Sequence, residues 1–507
     1  MTDEEIASLL RSNDQLIVIE APAGCGKTFQ AASYAADVAA SLNSGRLLVL
    51  THTHAACSVI AARTREYRHK IDIRTLDSLI NKVATVYRTS LNLPEDISDW
   101  IRKNGYEVLA KKVSNLLRSN PMIVKHLAKS YPVIICDEHQ DSNEAQDQIV
   151  QLIANQGSLL RVFGDPMQII PGGQGSGAVA AKARARWDSL KNMSTFGELE
   201  TPHRWRTTNN ELGEWILNVR QRLNRGQAID LKNDLPAGVN VTFAENGSPV
   251  PANFQLLPES WSEINTLLNK DKKMLIVAGT NSTVKSLRGS FRPRFPIWEG
   301  HTRIYLEKLI QTLKSEEDNL AARTYAFVEC LKNLLVGFSD SKYGNRLVQE
   351  VQSLTDKPKG QIPPQLKKMA EFIRSEQNHT GFSLAAKHLR ELILSGANGF
   401  SELYIDHQRE LDDLIKLREY NDAAVGFYEI TKRRSRSYPT PSRKALSTVH
   451  KSKGLEADHV FVFACDRIHF PATQEKRNLF YVALSRATES VTIIASRKNP
   501  SPLVRLD

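Results

Sequence analysis

The sequence predicts an α/β chain built on two doubly wound parallel sheets that are interrupted by helical insertions. Two observations predict it. Short apolar, β-branched runs recur between longer stretches of helical periodicity, and they fall into two groups separated by a strand-poor interval. One run of the first group leads directly into a glycine-rich loop that ends in Lys-Thr.

The first group is LIVIE (16–20), RLLVL (46–50), PVIIC (132–136) and LLRVF (159–163). The second is VNVTF (239–243), MLIVA (274–278), HVFVF (459–463) and VTIIA (491–495). Strands that alternate with helices need crossovers, so parallel pairing is expected in both groups. Between 278 and 446 no strong strand signal occurs, and RIYLEKLIQTLKSEEDNLAARTYAFVECLKNLL, from Arg303 to Leu335, carries Leu, Lys, Glu and Ala at helical spacing. A smaller helical stretch with Trp100 lies between about 82 and 127. The basic, proline-bearing segment KRRSRSYPTPSRK (432–444) reads as an exposed linker. The expected organisation is therefore a first domain over 1–81 and 128–205 with a small helical insertion at 82–127. A second domain covers 206–282 and 446–507, split by a helical accessory insertion at 283–445.

A chain of 507 residues has room for several folding units with sizeable cores. Its net charge of +11 permits a phosphate-rich partner without requiring one. The five cysteines, Cys25, Cys57, Cys136, Cys330 and Cys465, are odd in number and scattered, which argues against a disulfide framework or a zinc site and for a reducing cytosol. The opening MTDEEIASLLRSND has neither a basic nor an apolar leader region, and the apolar runs are of strand length. A cytoplasmic protein that does not insert into membranes is expected.

The loop after the first strand reads APAGCGKT (21–28). In a phosphate-binding loop the backbone of Ala23, Gly24, Cys25 and Gly26 cradles phosphate oxygens, Lys27 reaches the β/γ oxygens, and Thr28 offers a hydroxyl to Mg2+. The strand PVIIC runs into Asp137-Glu138-His139-Gln140-Asp141, which puts two carboxylates at a strand's C-terminal end, where α/β sheets bind ligands. Asp137 suits a magnesium role and Glu138 suits orienting and deprotonating an attacking water. A third strand ends at Gly164-Asp165-Pro166-Met167-Gln168, where Gln168 could sense a γ-phosphate. These three strand ends together describe a RecA-like NTPase site for ATP and Mg2+. His52 and His54 lack a third metal ligand nearby, so polar strand-end contacts are expected of them.

With these residues in order, the chain resembles the UvrD/Rep family of superfamily-one helicases. Thr448-Val449-His450-Lys451-Ser452-Lys453-Gly454-Leu455-Glu456 is similar to the family's fifth motif, and Asn478-Leu479-Phe480-Tyr481-Val482-Ala483-Leu484-Ser485-Arg486-Ala487 to its sixth. The resemblance implies that Arg486 is an arginine finger, that Glu456 meets the nucleotide's ribose region, and that His450 meets the nucleic-acid backbone. His203-Arg204-Trp205-Arg206-Thr207 is similar to the fourth motif, with Trp205 stacking on adenine and Arg206 on the γ-phosphate, and Arg204 one register away as the alternative. Thr51, His52 and Thr53 with Arg63 resemble the strand-contacting motif, and Thr75-Leu76-Asp77-Ser78 the next, with Ser78 at the strand.

The chain also departs from the family. Ile6 stands about where the family has its adenine-reading glutamine, and the nearest glutamine is Gln15. Pro171, Gly173 and Gln174 replace a base-stacking and basic platform, for which His52 and the basic run Lys432, Arg433, Arg434 and Arg436 are the visible substitutes. Cys25, at a helix N-terminus beside Lys27, is expected to favour thiolate. Only 21 residues follow Arg486, too few for a nuclease domain, and this compact form is similar to the helicase-like subunit of the Gabija anti-phage system. The resemblance implies a 3′-to-5′ ATP-driven translocase or helicase on single-stranded or tailed DNA, with a separate nuclease partner and self-association as further expectations. The alternative is a nucleotide-hydrolysing sensor of DNA ends or nucleotides that does not move processively.

Overall fold

Apolar β-branched residues fill both faces of a sheet that helices cover, and the central strands of the first sheet follow that rule. The six strands of this sheet are β1 (Leu16–Glu20), β2 (Leu47–Thr51), β3 (Ile71–Thr75), β4 (Val133–Cys136), β5 (Leu159–Gly164) and β6 (Thr195–Glu198). All pair in parallel, in the order β3-β2-β4-β5-β1-β6. Successive residues feed opposite cores: Val18, Leu48, Leu50 and Ile134 face one, while Ile17, Ile19, Leu47, Val49 and Ile135 face the other. Leu109, Val113 and Leu117 of helix Tyr106–Ser119 and Val124 of helix Pro121–Ser130 join the first of these cores. The helical stretch after residue 82 thus buries its apolar side against the sheet and has no core of its own. The edge strands β3 and β6 carry few apolar residues, and sequence periodicity did not mark them.

The coordinates, a computed structural model, describe every residue except 53, 172–175, 234, 246–257, 270, 292–294, 299–302, 353–363, 436–441 and 507. Gly173, Gln174 and Arg436 therefore lie outside the described residues, as do the side chains of Lys432, Arg433 and Arg434. The chain divides into two compact units, Met1–Ser286 with Thr448–Asp507, and Leu287–Ser447.

After β7 (Ile229–Asp230), β8 (Val239–Ala244) and β9 (Met274–Ala278) the chain enters the second unit. That unit is helical around a core of Leu306, Phe327, Leu331, Leu366, Met369, Phe382 and Leu411, among others. Its short antiparallel pair, β10 (Leu335–Val336) with β11 (Tyr404–Ile405), was not foreseen from the sequence. It ends at β12 (Lys444–Thr448), where Leu446 bridges Ile297. The first unit resumes with β13 (Ala457–Cys465), β14 (Ala487–Ser496) and β15 (Val504–Arg505). The strands β9, β13, β14 and β8 lie parallel in that order, and β15 pairs with β7. Two parallel sheets with crossover helices are the RecA-like arrangement that the sequence predicts. Among the described residues no helix is long and apolar enough to cross a membrane.

One buried ionic cluster ties the C-terminal ends of β1, β5 and β6 together. Arg220, from helix Asn210–Asn224, donates to Asp165 (3.2 Å), to Glu198 (2.8 Å) and to Glu20. Burial pushes the Glu20 carboxyl up despite the guanidinium. Lys191 reaches only Glu20, at 3.7 Å, so removing the Arg220 guanidinium would leave three carboxylates without their shared cation, at a cost of about 3–5 kcal/mol. Arg220→Met is therefore expected to lower the denaturation midpoint without changing the denaturant slope, and an unchanged midpoint would refute this.

Candidate nucleotide site

The loop between β1 and helix Lys27–Ser41 turns through two left-handed glycines, Gly24 (φ +79°) and Gly26 (φ +81°). A Cβ on Gly24 would come within 2.7 Å of the Trp205 ring and 2.8 Å of Arg204 Cβ. The loop is thus clamped beneath the turn His203–Trp205, and Arg204 N donates to Gly24 O at 3.0 Å.

Lys27 heads the helix and reaches Asp137 at 3.4 Å and also ion-pairs with Glu138. Burial opposes its charge, but the two carboxylates outweigh burial and hold its pKa above the ordinary value. Glu138 resists burial in the same way, since Lys27, Lys453 and a hydrogen bond from Gln140 keep its carboxyl below the usual range. Asp137 goes the other way, raised by burial and by Glu138 next to it. Glu138 also adopts a left-handed backbone (φ +54°), a conformation that costs a non-glycine residue roughly 1–2 kcal/mol. Its side-chain partners hold it there.

A cavity of about 740 Å³ opens over this group. Ala23, Gly24, Gly26, Lys27, Thr28, Asp137, Glu138, Gln168, Glu456 and Arg486 of the expected site line it. So do Asp3, Phe29, Gln30, His203, Lys453 and Arg63. Lys453 crosses the cavity mouth to Asp141 (2.6 Å) and Gln168 O (3.1 Å). Gln168 itself is held by Asp165 at 3.0 Å. Arg486 is buried, donates to Val482 O (3.0 Å) and Ser485 Oγ (2.8 Å), and burial pushes its pKa down to about 10, so it stays charged at neutral pH.

Several expectations are corrected. Trp205 is fully buried, with its indole N–H on Ala487 O at 2.6 Å, so it has no open face for a base. Arg206 is exposed and outside the cavity lining, whereas Arg204 lies in it, paired with Glu456 at 2.6 Å and Ser485 O at 2.6 Å. His203 and Arg204, each two positions before the expected Trp205 and Arg206, are the residues of this segment that face the cavity. Cys25 points into the core beside Ile17 and Ile19, and burial pushes its thiol up to about 12, so the expected thiolate is absent. Arg63 stands over the Phe29 ring at 5.3 Å, in the nucleotide cavity and not apart from it. Gln15 is occupied by Ala154 O at 2.9 Å.

The remaining strand-contact candidates cluster elsewhere. Thr51 is buried at the end of β2, and His52 follows it with Nε2 on Ser142 Oγ at 2.9 Å. Burial pushes His52 down to about 4, so it is neutral at physiological pH and does not offer a stacking cation. Thr53 lies outside the described residues. Ser78 opens helix Leu76–Val86, capped by Thr75 at 3.2 Å. His450 is half-buried, near Glu475, Lys476 and the Pro171 backbone, and burial lowers its pKa.

Sequence reasoning also missed Tyr481. Its hydroxyl accepts from Ala23 N (2.8 Å) and donates to Asp165 Oδ2 (3.1 Å), so the helix before β14 holds the phosphate loop directly. Asn478, one turn earlier, donates to Ile169 O at 2.9 Å. A tyrosine inside an apolar motif gave no such signal.

The fold and this cavity define a two-sheet, phosphate-loop protein with a cavity of nucleotide size. Residues 101–176 match the UvrD/REP helicase N-terminal domain and residues 445–494 match the UvrD-like helicase C-terminal domain. These matches support a UvrD/Rep-type helicase, with the ATP-dependent activity on DNA that such domains imply. No curated protein matches the chain.

Arg204→Ala is expected to cut ATP turnover by about a hundredfold or more, the scale of removing one charge-stabilising donor, and Arg206→Ala to leave it nearly unchanged. Equal losses would refute the register. Alkylation of the native protein followed by mass mapping is expected to leave Cys25 unmodified until denaturant is added.

Proposed function

We propose that this chain is a DNA-stimulated ATPase that translocates 3′-to-5′ along single-stranded or tailed DNA and works beside a separate nuclease in anti-phage defence. The observation that carries the core of this reading is the convergence of Lys27, Asp137 and Glu138 with Lys453, Arg204 and Arg486 on one cavity. The polarity, the nuclease and the defence role rest on the resemblance to compact UvrD/Rep members.

The cavity's donors suit ATP with magnesium. Thr28 and Asp137 supply hard oxygens, and magnesium takes one or two protein ligands and completes its shell with phosphate and water. Magnesium bound there would neutralise phosphate charge. Lys27 holds the β and γ oxygens, which draws it from Glu138 and frees that carboxylate to orient a water and take its proton. Arg204 and Arg486 face the same space and stabilise the charge that develops on the transferred phosphoryl group. Phe29, which is 61% exposed, and His203 line the same cavity and offer ring faces to a nucleotide base. Because Lys453, just before β13, and Arg486, just before β14, complete the cavity, hydrolysis is tied to how the two sheets meet.

Glu138→Gln is expected to reduce turnover by about 10²–10⁴, the usual contribution of a general base, while ATP binding persists. Translocation is read by stopped-flow on strands of increasing length. A lag that grows with length supports the motor; turnover that is the same with and without DNA refutes it.

A further inference from the structure

We infer that Ser142 is a positioning residue that couples the segment at His52 to the loop carrying Asp137 and Glu138. The inference rests on the functional reading above, in which His52 follows β2 on the nucleic-acid side.

Four side chains make an unbroken chain that runs from the partly exposed His52 into the interior. His52 Nε2 lies 2.9 Å from Ser142 Oγ, Ser142 Oγ lies 3.1 Å from His139 Nδ1, and His139 Nε2 lies 2.9 Å from Asp147 Oδ1. Gln151 donates to the other Asp147 oxygen at 2.8 Å, and Arg186 donates to Ser142 O at 2.7 Å. Ser142, His139 and Asp147 are all nearly inaccessible to solvent.

Each bond of the chain shares a side chain with the next: Ser142 Oγ meets both histidines, and His139 meets Ser142 through one ring nitrogen and Asp147 through the other. A hydroxyl and an imidazole can each donate or accept, so the role each takes in one bond restricts its role in the next, and the four groups respond together.

The chain also passes through the catalytic loop. His139 begins the turn His139–Asp141, directly after Glu138, and Gln140 of that turn bonds Glu138. A strand phosphate that draws His52 to itself removes one of the two side chains that hold the Ser142 hydroxyl. Ser142 and His139 then lose a restraint, and so does the turn that holds Glu138 in its left-handed conformation. The void beside this cluster is about 10 Å³, which admits no substrate, so Ser142 is no nucleophile despite its histidine and aspartate neighbours.

The test measures steady-state ATP hydrolysis by the full chain with and without oligo-dT, for wild type, Ser142→Ala, Ser142→Thr, His52→Ala and the double alanine variant. Ser142→Ala is expected to lower the oligo-dT-stimulated rate about fivefold or more, the lower range of typical site-to-site coupling. The rate without oligo-dT stays at the wild-type value, Ser142→Thr restores stimulation, and the double variant is no worse than either single one. Equal fold-losses with and without strand indicate a merely structural role and overturn the coupling. So does full stimulation in Ser142→Ala beside a stimulated wild type. A wild type that oligo-dT does not stimulate overturns the functional reading and the coupling with it. If Ser142→Ala fails to fold, His139→Gln interrupts the same chain and is judged by the same outcomes.

Discussion

A buried lysine held between two carboxylates is the interaction on which the rest of the first unit depends. Lys27 sits at the head of a helix whose dipole already favours anions, and Asp137 and Glu138 come from a different strand. A cation there without a partner would be costly to bury, so β1 and β4 must end at the same level of the sheet. The parallel pairing of β4 with β5 and of β5 with β1 provides that level. In this arrangement the carboxylates stand where phosphate oxygens are expected, and Lys27 is preorganised for the exchange.

Around that centre, the second sheet holds the first through main-chain acceptors and donors. Tyr481 bonds Ala23 N, Asn478 bonds Ile169 O, Trp205 bonds Ala487 O, and Arg204 bonds Ser485 O. Each of these bonds ties one sheet's loops to the backbone of the other, so a shift of either sheet is felt at the phosphate loop. Lys453 with Asp141 adds a more exposed ion pair, which contributes little to stability and yields readily to a competing phosphate. Strong, buried bonds set the geometry, and the weaker pair at the cavity mouth is the one a ligand displaces.

Much of the site was legible in the sequence because its chemistry is local. GKT after an apolar strand, two carboxylates at the end of another, and the long segments around Lys453 and Arg486 each fix a backbone geometry within a few residues. The segment His203–Thr207 was not legible in the same way. Two arginines flank a tryptophan, and a turn of 3-10 helix decides which side chains face inward. Trp205, as the largest apolar group, took the core and sent His203 and Arg204 to the cavity.

By itself the sequence determined the α/β class, the two groups of parallel strands, the phosphate loop and the acidic strand end. Periodicity and turn chemistry act between near neighbours, so they can be read along the chain. Tertiary structure alone decided what depends on distant segments meeting. It buried the Cys25 thiol in the core and so removed its reactivity. It brought Arg220 to three carboxylates spread from Glu20 to Glu198. It also joined His52 to Asp147 through Ser142 and His139, because a hydrogen bond needs its partners within about 3 Å in space and takes no account of their separation along the chain.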